Sequence, residues 1–432
     1  MFLVSWIVCI RRSGLNAKGI GLHTEKAYNK IAMEESYQPS LGFLKSPQNN
    51  SYLVNTWGFR AEGSFNGSFF SKISMVLTKK GEIVQNSIHV FYYPSGGTIS
   101  FDGEWRIHNF TEICTTSFIV PQNMNSNAEY LVVGGGGGGG FSTEYSAGGG
   151  GGGGFLTGSI NLDQGSYPVT VGAGGLGSTS KYSAGSKGGD SSLSSIIAYG
   201  GGGGGSGVPN VNTGDAISPS SGASGGGGGS QVISRTRSGA SGISGQGFPG
   251  GNGFGHDTNG NYQGAGGGGG AGSAGGNGNS IKGGDGGAGK EYLGFHYSAG
   301  GGGGKRAYSG QGGGIGGSGV GGNGGFASAG SNAIQNSGSG GGGSAGGVAG
   351  LNGGNGGSGI VIIRYRFYQT LTISADYSNL SPGSYELQLI ADMVDSRRFN
   401  TSVQFQIVSS TQKHSFSMKQ PYFLLLTLFF FC

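Results

Sequence analysis

Apolar and polar positions alternate in short bursts at both ends of the chain, and the alternation disappears in the middle. Stretches rich in Val, Ile, Phe, Tyr and Thr occupy 51–59, 68–78, 82–93 and 98–107. Turn signals such as Lys80-Gly81 and Pro94-Ser95-Gly96-Gly97 separate them. Four or more short strands at this spacing predict a β-sandwich. The same pattern returns at 371–375, 385–391 and 401–408, with a turn at Ser381-Pro382-Gly383, and predicts a small immunoglobulin-like module. Two mostly apolar stretches, 128–133 and 360–365, each with one charged residue (Glu129 and Arg364), read as buried strands. Between them, 155–162 and 167–171 predict a hairpin around Asp163-Gln164-Gly165-Ser166, and 192–199 predicts one further strand.

The two buried strands bracket an unusual block. Of the 104 glycines in the 432-residue chain, 12 lie outside residues 134–359 and 92 inside. Runs of five or more occur at 134–140, 148–154, 200–205, 225–229, 266–270 and 300–304, so the glycines are clustered into a repeat signal. A flexible coil is one outcome for such runs, because ordering glycine costs more entropy than ordering any other residue. The other is a set of polyproline-II-type helices packed side by side. These make no internal hydrogen bonds, so their N–H and C=O groups must find partners on neighbours. Glycine alone lets backbones approach on every side, and strands entering and leaving the block favour order. The expected fold is therefore mainly β with a polyglycine-II helix bundle, flanking β-sandwich strands and a small Ig-like C-terminal module. The expected division is an apolar, irregular segment 1–40, a β-rich module 41–130, the glycine-rich domain 131–366, the Ig-like module 367–408, and a polar spacer with hydrophobic tail 409–432.

Composition and charge remove several functions. Ten prolines and no Gly-X-Y register exclude collagen. A net charge of +5 without a dense basic stripe does not point to nucleic acid. Cys9, Cys114 and Cys432 stand far apart and, like the scattered histidines, lack ligand spacing, so no disulfide framework, metal site or cofactor is expected. His23, His89, His108, His256, His296 and His414 read as surface or loop residues, and none sits in a nucleophile-elbow context. Residues 284–290 match the skeleton of a phosphate-binding loop, but Glu291 stands where Ser or Thr should hold Mg²⁺. Asp190, Asp257 and Asp285 read as turn residues rather than paired acids. No catalytic residue is expected, and the chain reads as a non-enzyme.

Candidate chemistry lies in the connections between runs, 208–224, 231–263 and 290–299. Phe248, Phe254, Tyr262, Tyr292, Phe295 and Tyr297 are candidate binding residues, since exposed aromatics anchor interfaces. The competing reading is that they cap the runs or fill gaps beside them. Five N-glycosylation sequons, at Asn49, Asn66, Asn109, Asn379 and Asn400, all fall outside the glycine block, which suits a secreted chain with glycosylated outer modules. Residues 1–10 are apolar, but Arg11-Arg12 puts charge on the wrong side for a cleaved signal. Residues 421–432 are nearly all apolar yet too few for a bilayer span of about 20 residues. With Ser409-Ser410-Thr411 and a polar spacer they fit a lipid-anchor attachment signal, and a shortened membrane segment fits as well.

Several motifs occur in a specific order. Ile107-His108-Asn109-Phe110-Thr111, Thr116-Ser117-Phe118-Ile119-Val120-Pro121 and Glu129-Tyr130-Leu131-Val132-Val133-Gly134 come first. Phe155-Leu156-Thr157-Gly158-Ser159, then 165–175, then Gly189-Asp190-Ser191-Ser192 with Ala198-Tyr199-Gly200 follow, and 356–365 closes the set. Together, over about 106–366, they resemble the glycine-rich domain of phage tail-fibre and adhesin-type proteins. That resemblance implies a polyglycine-II bundle whose tip loops recognise receptors. A looser resemblance is to the glycine-rich ectodomain of anaplastic-lymphoma-kinase-type receptors, although no kinase motif is present. The expected function is thus a cell-surface or secreted structural and adhesion protein, binding a protein or glycan on another surface. The alternative is a receptor-type ectodomain that binds a protein ligand.

Overall fold

The structure is a computed structural model that describes residues 40–45, 51–54, 58–67, 70–90, 92–122, 126–143, 145–180, 183–207, 218–230, 237–255, 264–306, 312–346, 351–366, 369–393 and 398–408. The chain divides into two units. The first takes Met1–Tyr93, Phe101–Arg106 and Arg366–Cys432, and the second Pro94–Ser100 and Ile107–Tyr365.

In the first unit the strands are β1 (Ser40–Lys45), β2 (Ser51–Val54), β3 (Gly58–Gly67), β4 (Phe70–Lys79) and β5 (Glu82–Val90). Three more come from the far end of the sequence and are numbered last in chain order: β17 (Gln369–Ser378), β18 (Gly383–Met393) and β19 (Arg398–Val408). They form a three-stranded sheet β1-β3-β17 and a five-stranded sheet β2-β19-β18-β4-β5. Lys80 and Gly81, both at positive φ (53° and 85°), make the tight turn from β4 to β5. The period-2 pattern sends Ile73, Met75 and Leu77 of β4, Tyr385, Leu387, Leu389 and Ala391 of β18, and Val403 and Phe405 of β19 into the core.

The C-terminal strands are therefore not a separate immunoglobulin-like module. β17 pairs with β3 from Gln369↔Gly67 to Ser378↔Gly58, and β18 lies against β4 with Leu387 opposite Leu77. A three-stranded C-terminal piece leaves two sheet faces open, and the N-terminal strands supply what closes them.

On the outer rim of this unit, Arg398 donates to Asp392 from Nε (2.5 Å) and Nη2 (3.3 Å), and Lys72 Nζ lies 3.3 Å from Asp392 Oδ2. The hydrogen bond from Arg398, with help from Lys72, holds the Asp392 carboxyl below the usual carboxylate range. A lowered carboxyl contributes stability above its ordinary range and loses it as pH falls through the lowered value. Arg398→Ala is expected to move the Asp392 titration midpoint upward, as read by carbon NMR of labelled aspartates. An unmoved midpoint would refute the pairing.

The second unit carries β6 (Thr98–Asp102), β7 (Trp105–Phe110), β8 (Thr115–Val120), β9 (Ser126–Val133), β10 (Phe155–Leu162), β11 (Gly165–Thr170), β12 (Ser191–Leu193), β13 (Ile196–Ala198), β14 (Lys290–Tyr292), β15 (Phe295–Tyr297) and β16 (Ile360–Arg366), with a few terminal residues of β6, β7 and β16 counted in the first. Two larger sheets, β10-β9-β16-β7-β6 and β13-β12-β11-β8, and the hairpin β14-β15 result. β9, which enters the glycine block, and β16, which leaves it, are neighbours, with Val132 opposite Val361 and Tyr130 opposite Ile363. Leu131, Val132, Val133, Val361 and Ile363 have no exposed surface, as expected of buried strands. Strands form at 155–162 and 165–170 as expected, but they are not a hairpin. β10 takes β9 as partner in eight consecutive pairs, and β11 takes β8 and β12.

His108 is a further correction. It is fully buried rather than at the surface, edge-on to Phe118 at 5.0 Å and stacked on Tyr365 at 5.8 Å. Its Nδ1 lies 2.7 Å from the Gly96 carbonyl, which only accepts, so Nδ1 carries the proton.

The glycine segments between the strands are held by backbone hydrogen bonds to other segments. In run 134–140, Gly134, Gly137 and Gly140 donate to Gly154, Gly151 and Gly148 (3.0, 2.8 and 2.9 Å). Gly135 and Gly138 donate to Gly189 and Ser186, and Gly136 and Gly139 to Gly357 and Gly354. Their carbonyls accept from three further segments: Gly201 and Gly204 donate to Gly135 and Gly138, Gly175 and Ser178 to Gly136 and Gly139, and Gly341 and Ser344 to Gly137 and Gly140. The block is thus ordered by contacts on all sides, not a coil. The polyglycine-II helix bundle, however, is not found. The only helical turn among the described residues is the 3-10 turn Gly317–Gly319, and the runs belong to no helix. Without Cβ atoms nothing steric holds a segment to one regular helix, and its path is set by the carbonyls it meets. The ordered frame is β.

Candidate interaction surface

Side chains that close the glycine lattice at its rim share one chemistry. A segment at the edge has N–H groups with no neighbouring carbonyl, and carboxamide or carboxylate oxygens supply the acceptor. Asn252 Oδ1 accepts from Gly239 N (3.0 Å), Asn277 Oδ1 from Asn252 N (2.7 Å), Asn355 Oδ1 from Gly177 N (2.8 Å) and Asn332 Oδ1 from Asn355 N (2.8 Å). Asp190 and Asp285 accept from Gly200 N and Ile315 N in the same way. The recurring Gly-Asn-Gly triplets at 251–253, 276–278, 322–324 and 354–356 were the available sequence signal for this role. The phosphate-loop skeleton at 284–290 is consumed by the lattice: Gly284, Gly286 and Gly287 donate to Ala265, Ile315 and Gly268.

One of these closures builds a surface. β13 is the edge of its sheet, and the Gln246 amide lies along it as a strand would. Nε2 donates to Ile197 O (3.1 Å) and Oε1 accepts from Tyr199 N (2.9 Å). Gln246 sits in a turn in which Gln246 N and Gly247 N both donate to Ile243 O at 3.0 Å. Gly245 at φ 83° permits that turn. Around the amide, Ile197, Tyr199, Ile243 and Phe248 are between 38 and 44% exposed.

The hairpin β14-β15 flanks the same place. Gly154 N donates to Tyr199 O at 2.7 Å, and the ring of the next residue, Phe155, lies under Lys290 Nζ at 5.5 Å. Tyr292 lies 5.6 Å from the Arg364 guanidinium, itself held by Glu129 Oε2 at 2.8 and 2.6 Å. Burial raises the Tyr292 and Tyr297 phenols above their ordinary value. At the turn end of the hairpin Leu293 and Phe295 are exposed, Phe295 over 68% of its surface.

The expected binding residues are thus separated. Phe248 and Phe295 are exposed, Tyr292 is half-buried and Tyr297 is buried. Half-buried Phe254 lies at the other end of the segment that begins at Phe248, where its N–H meets Gly264 O at 3.3 Å. Tyr262 lies outside the described residues, as do 208–217, 231–236 and 256–263 of these connections. Ile197 was not legible as a surface residue, because an apolar residue on a three-residue edge strand reads the same as one in a core, and Tyr199, Ile243 and Leu293 lie in connections whose packing the sequence does not reveal. Of the sequons, Asn109 donates from Nδ2 to Ser100 Oγ (3.3 Å), Asn379 and Asn400 are exposed, Asn66 lies in β3, and Asn49 is outside the described residues. His296 is exposed, and Cys114 is an exposed free thiol. Among the described residues no three His, Cys, Asp or Glu side chains are grouped to hold a metal, and no helix is long and apolar enough to cross a membrane. The N-terminal apolar segment and the C-terminal tail lie outside the described residues.

Fold and surface together define a β-framed glycine-lattice protein. A glycine-rich domain family model matches residues 111–366, from the end of β7 to the end of β16, and the chain belongs to that family. No curated protein matches the chain.

Proposed function

We propose that the protein is a non-enzymatic structural and adhesion protein of the cell surface or the secreted space, and that it contacts a protein or glycan on another surface through the patch around Gln246 and the β14-β15 hairpin. The observation that carries this reading is the exposed set Ile197, Tyr199, Ile243, Phe248, Leu293 and Phe295, carried by β13, the turn of Gln246 and the β14-β15 hairpin. Apolar side chains grouped in the open mark interaction sites, and aromatic anchors dominate their energetics. A lattice that uses its own backbone groups internally supplies the rigid support that such contacts need. The resemblance to phage tail-fibre and adhesin-type domains, whose role is recognition, supports the same reading.

The test coats beads with the full chain and measures retention on a glycan array and on a panel of cell monolayers. Phe248→Ser with Phe295→Ser is expected to reduce retention at least about tenfold, the loss of two hot-spot residues worth on the order of 1 kcal/mol or more each. Retention equal to wild type would remove the patch from the proposal, and a wild-type chain that adheres to no surface would sink the function itself.

A further inference from the structure

Five Asn-Gly pairs lie in the described part of the glycine block, at 252–253, 277–278, 323–324, 352–353 and 355–356. Asparagine is thermally labile, and most so before glycine, whose nitrogen reaches the Asn Cγ with no side chain in the way. In four of the five pairs the lattice holds both reacting groups on a neighbouring segment. Asn252 Oδ1 accepts from Gly239 N (3.0 Å) while Gly253 N donates to Arg237 O (2.9 Å). Asn323 and Gly324 hold Gly316 N and Gly314 O in the same way (2.8 Å each), and Asn355 and Gly356 hold Gly177 N and Gly175 O (2.8 and 2.9 Å). Each of these clamps grips its neighbour at two residues, two positions apart. Asn277 and Gly278 close on a single residue, Asn252, through its N–H and its carbonyl (2.7 and 2.9 Å).

Asn352 breaks the pattern. Gly353 N donates to Ser178 O (3.0 Å), so the matching donor for the carboxamide would be Ser180 N. That N–H is turned to Ser178 Oγ instead (3.4 Å). The Asn352 carboxamide is exposed and meets no donor among the described residues.

We propose that Asn352-Gly353 is a site of spontaneous covalent modification, at which the chain converts with age to aspartate and isoaspartate. Gly353 N loses its proton and bonds Asn352 Cγ, and the Cγ–Nδ2 bond breaks as ammonia leaves with a proton. Water then opens the succinimide. Opening at Cγ gives aspartate, and opening at the main-chain carbonyl gives isoaspartate, with the chain now running through Cβ and Cγ. Each conversion consumes one water, releases one ammonia and oxidises nothing. The position gives the change a consequence. Leu351 exchanges both backbone hydrogen bonds with Ser142 (3.2 and 2.9 Å), and the Asn352 carbonyl accepts from Gly330 N (3.0 Å). Isoaspartate turns that carbonyl into a carboxylate branch and lengthens the chain between Leu351 and Gly353, so the Ser142 and Ser178 contacts lose their common register. The modification thus unfastens the last glycine segment beside the end of the first.

The test incubates the full chain in mildly alkaline buffer, digests samples over time and maps them by mass spectrometry, with isoaspartate read by enzymatic methylation. Asn352 is expected to convert about fivefold faster than Asn252, Asn277, Asn323 or Asn355, because one further hydrogen bond has to open at each of those. In urea the five should convert alike. Amide exchange at Gly330 and Leu351 should quicken in the aged wild type and stay constant in Asn352→Gln, whose longer side chain closes the ring poorly. Conversion at Asn352 no faster than at the other four, or an intact Asn352 in a folded chain that converts in urea, would overturn the site. Exchange quickening equally in Asn352→Gln would overturn the unfastening. Should Asn352→Gln fail to fold, the wild-type comparison of the five pairs decides the site alone.

Discussion

Gly137→Ala is expected to unfold the glycine lattice. Gly137 N donates to Gly151, its carbonyl accepts from Gly341 N, and a Cβ on it would fall on the Gly202 carbonyl oxygen. The obstacle is backbone, and Gly202 is itself bonded to Ser224, so it cannot step aside without breaking a second contact. Where an alanine fits, replacing glycine stabilises by about 0.4–1 kcal/mol through the unfolded chain. Here the sign reverses. Overpacking a tight interior costs about 1–3 kcal/mol and occasionally more, and each displaced neighbour adds about 1 kcal/mol in lost hydrogen bonding. The sum approaches the 5–15 kcal/mol that holds a typical domain together. Gly294→Asn is the control: Gly294 has φ 80° with no atom within 4 Å of its Cβ position, and asparagine tolerates that conformation. Thermal unfolding followed by circular dichroism on both full-length variants checks the contrast. A Gly137→Ala chain melting with wild type would show that the segments are not in contact.

Ending the chain at Arg366 is expected to unfold the first unit and leave the second intact. The cut removes β17, β18 and β19, and with them the buried Tyr385, Leu387, Leu389, Val403 and Phe405. At about 1.5–3 kcal/mol for each large apolar side chain, the loss is as large as the whole ordinary margin of a domain's stability. β3 and β4 would each lose a full-length partner. The pairs that clamp the glycine block, from Ile360↔Val133 to Tyr365↔Ala128, all remain. Amide exchange on the shortened chain should show 70–90 unprotected and 134–140 still protected. Protection surviving across 70–90 would refute the shared sandwich.

Most individual strands were legible. The alternation over 385–391 and 401–408 corresponds to β18 and β19, and the apolar runs at 128–133 and 360–365 to β9 and β16, because side-chain period and β-branching are local properties. Pairing was not legible. The turn at Asp163-Gln164-Gly165-Ser166 suggested that β10 and β11 face each other, yet β10 pairs with β9 and β11 with β8, both earlier in the chain. The immunoglobulin-like module failed for the same reason, since what closes β18 is β4, more than 300 positions earlier. In the candidate surface, Phe248 and Phe295 could be named from aromatic character alone. Tyr297, equally aromatic and on the same face of the hairpin as Phe295, is buried because it lies at the base of β15, where the chain re-enters the lattice at Ser298, and Phe295 lies at the turn.

By itself the sequence determined that this protein is built of short strands around a glycine block, and that the block must be ordered by its own backbone if at all. Both conclusions rest on chemistry each residue carries with it: a β-branched side chain prefers the pleat, and a glycine has nothing but N–H and C=O to offer. Only the tertiary structure decided which carbonyl each N–H meets, that the runs form no helix, that the two ends of the chain share one sandwich, and which apolar residues remain in the open. Those outcomes depend on contacts between segments far apart in sequence, where a glycine run presents the same face to every neighbour and gives no residue by which to tell them apart.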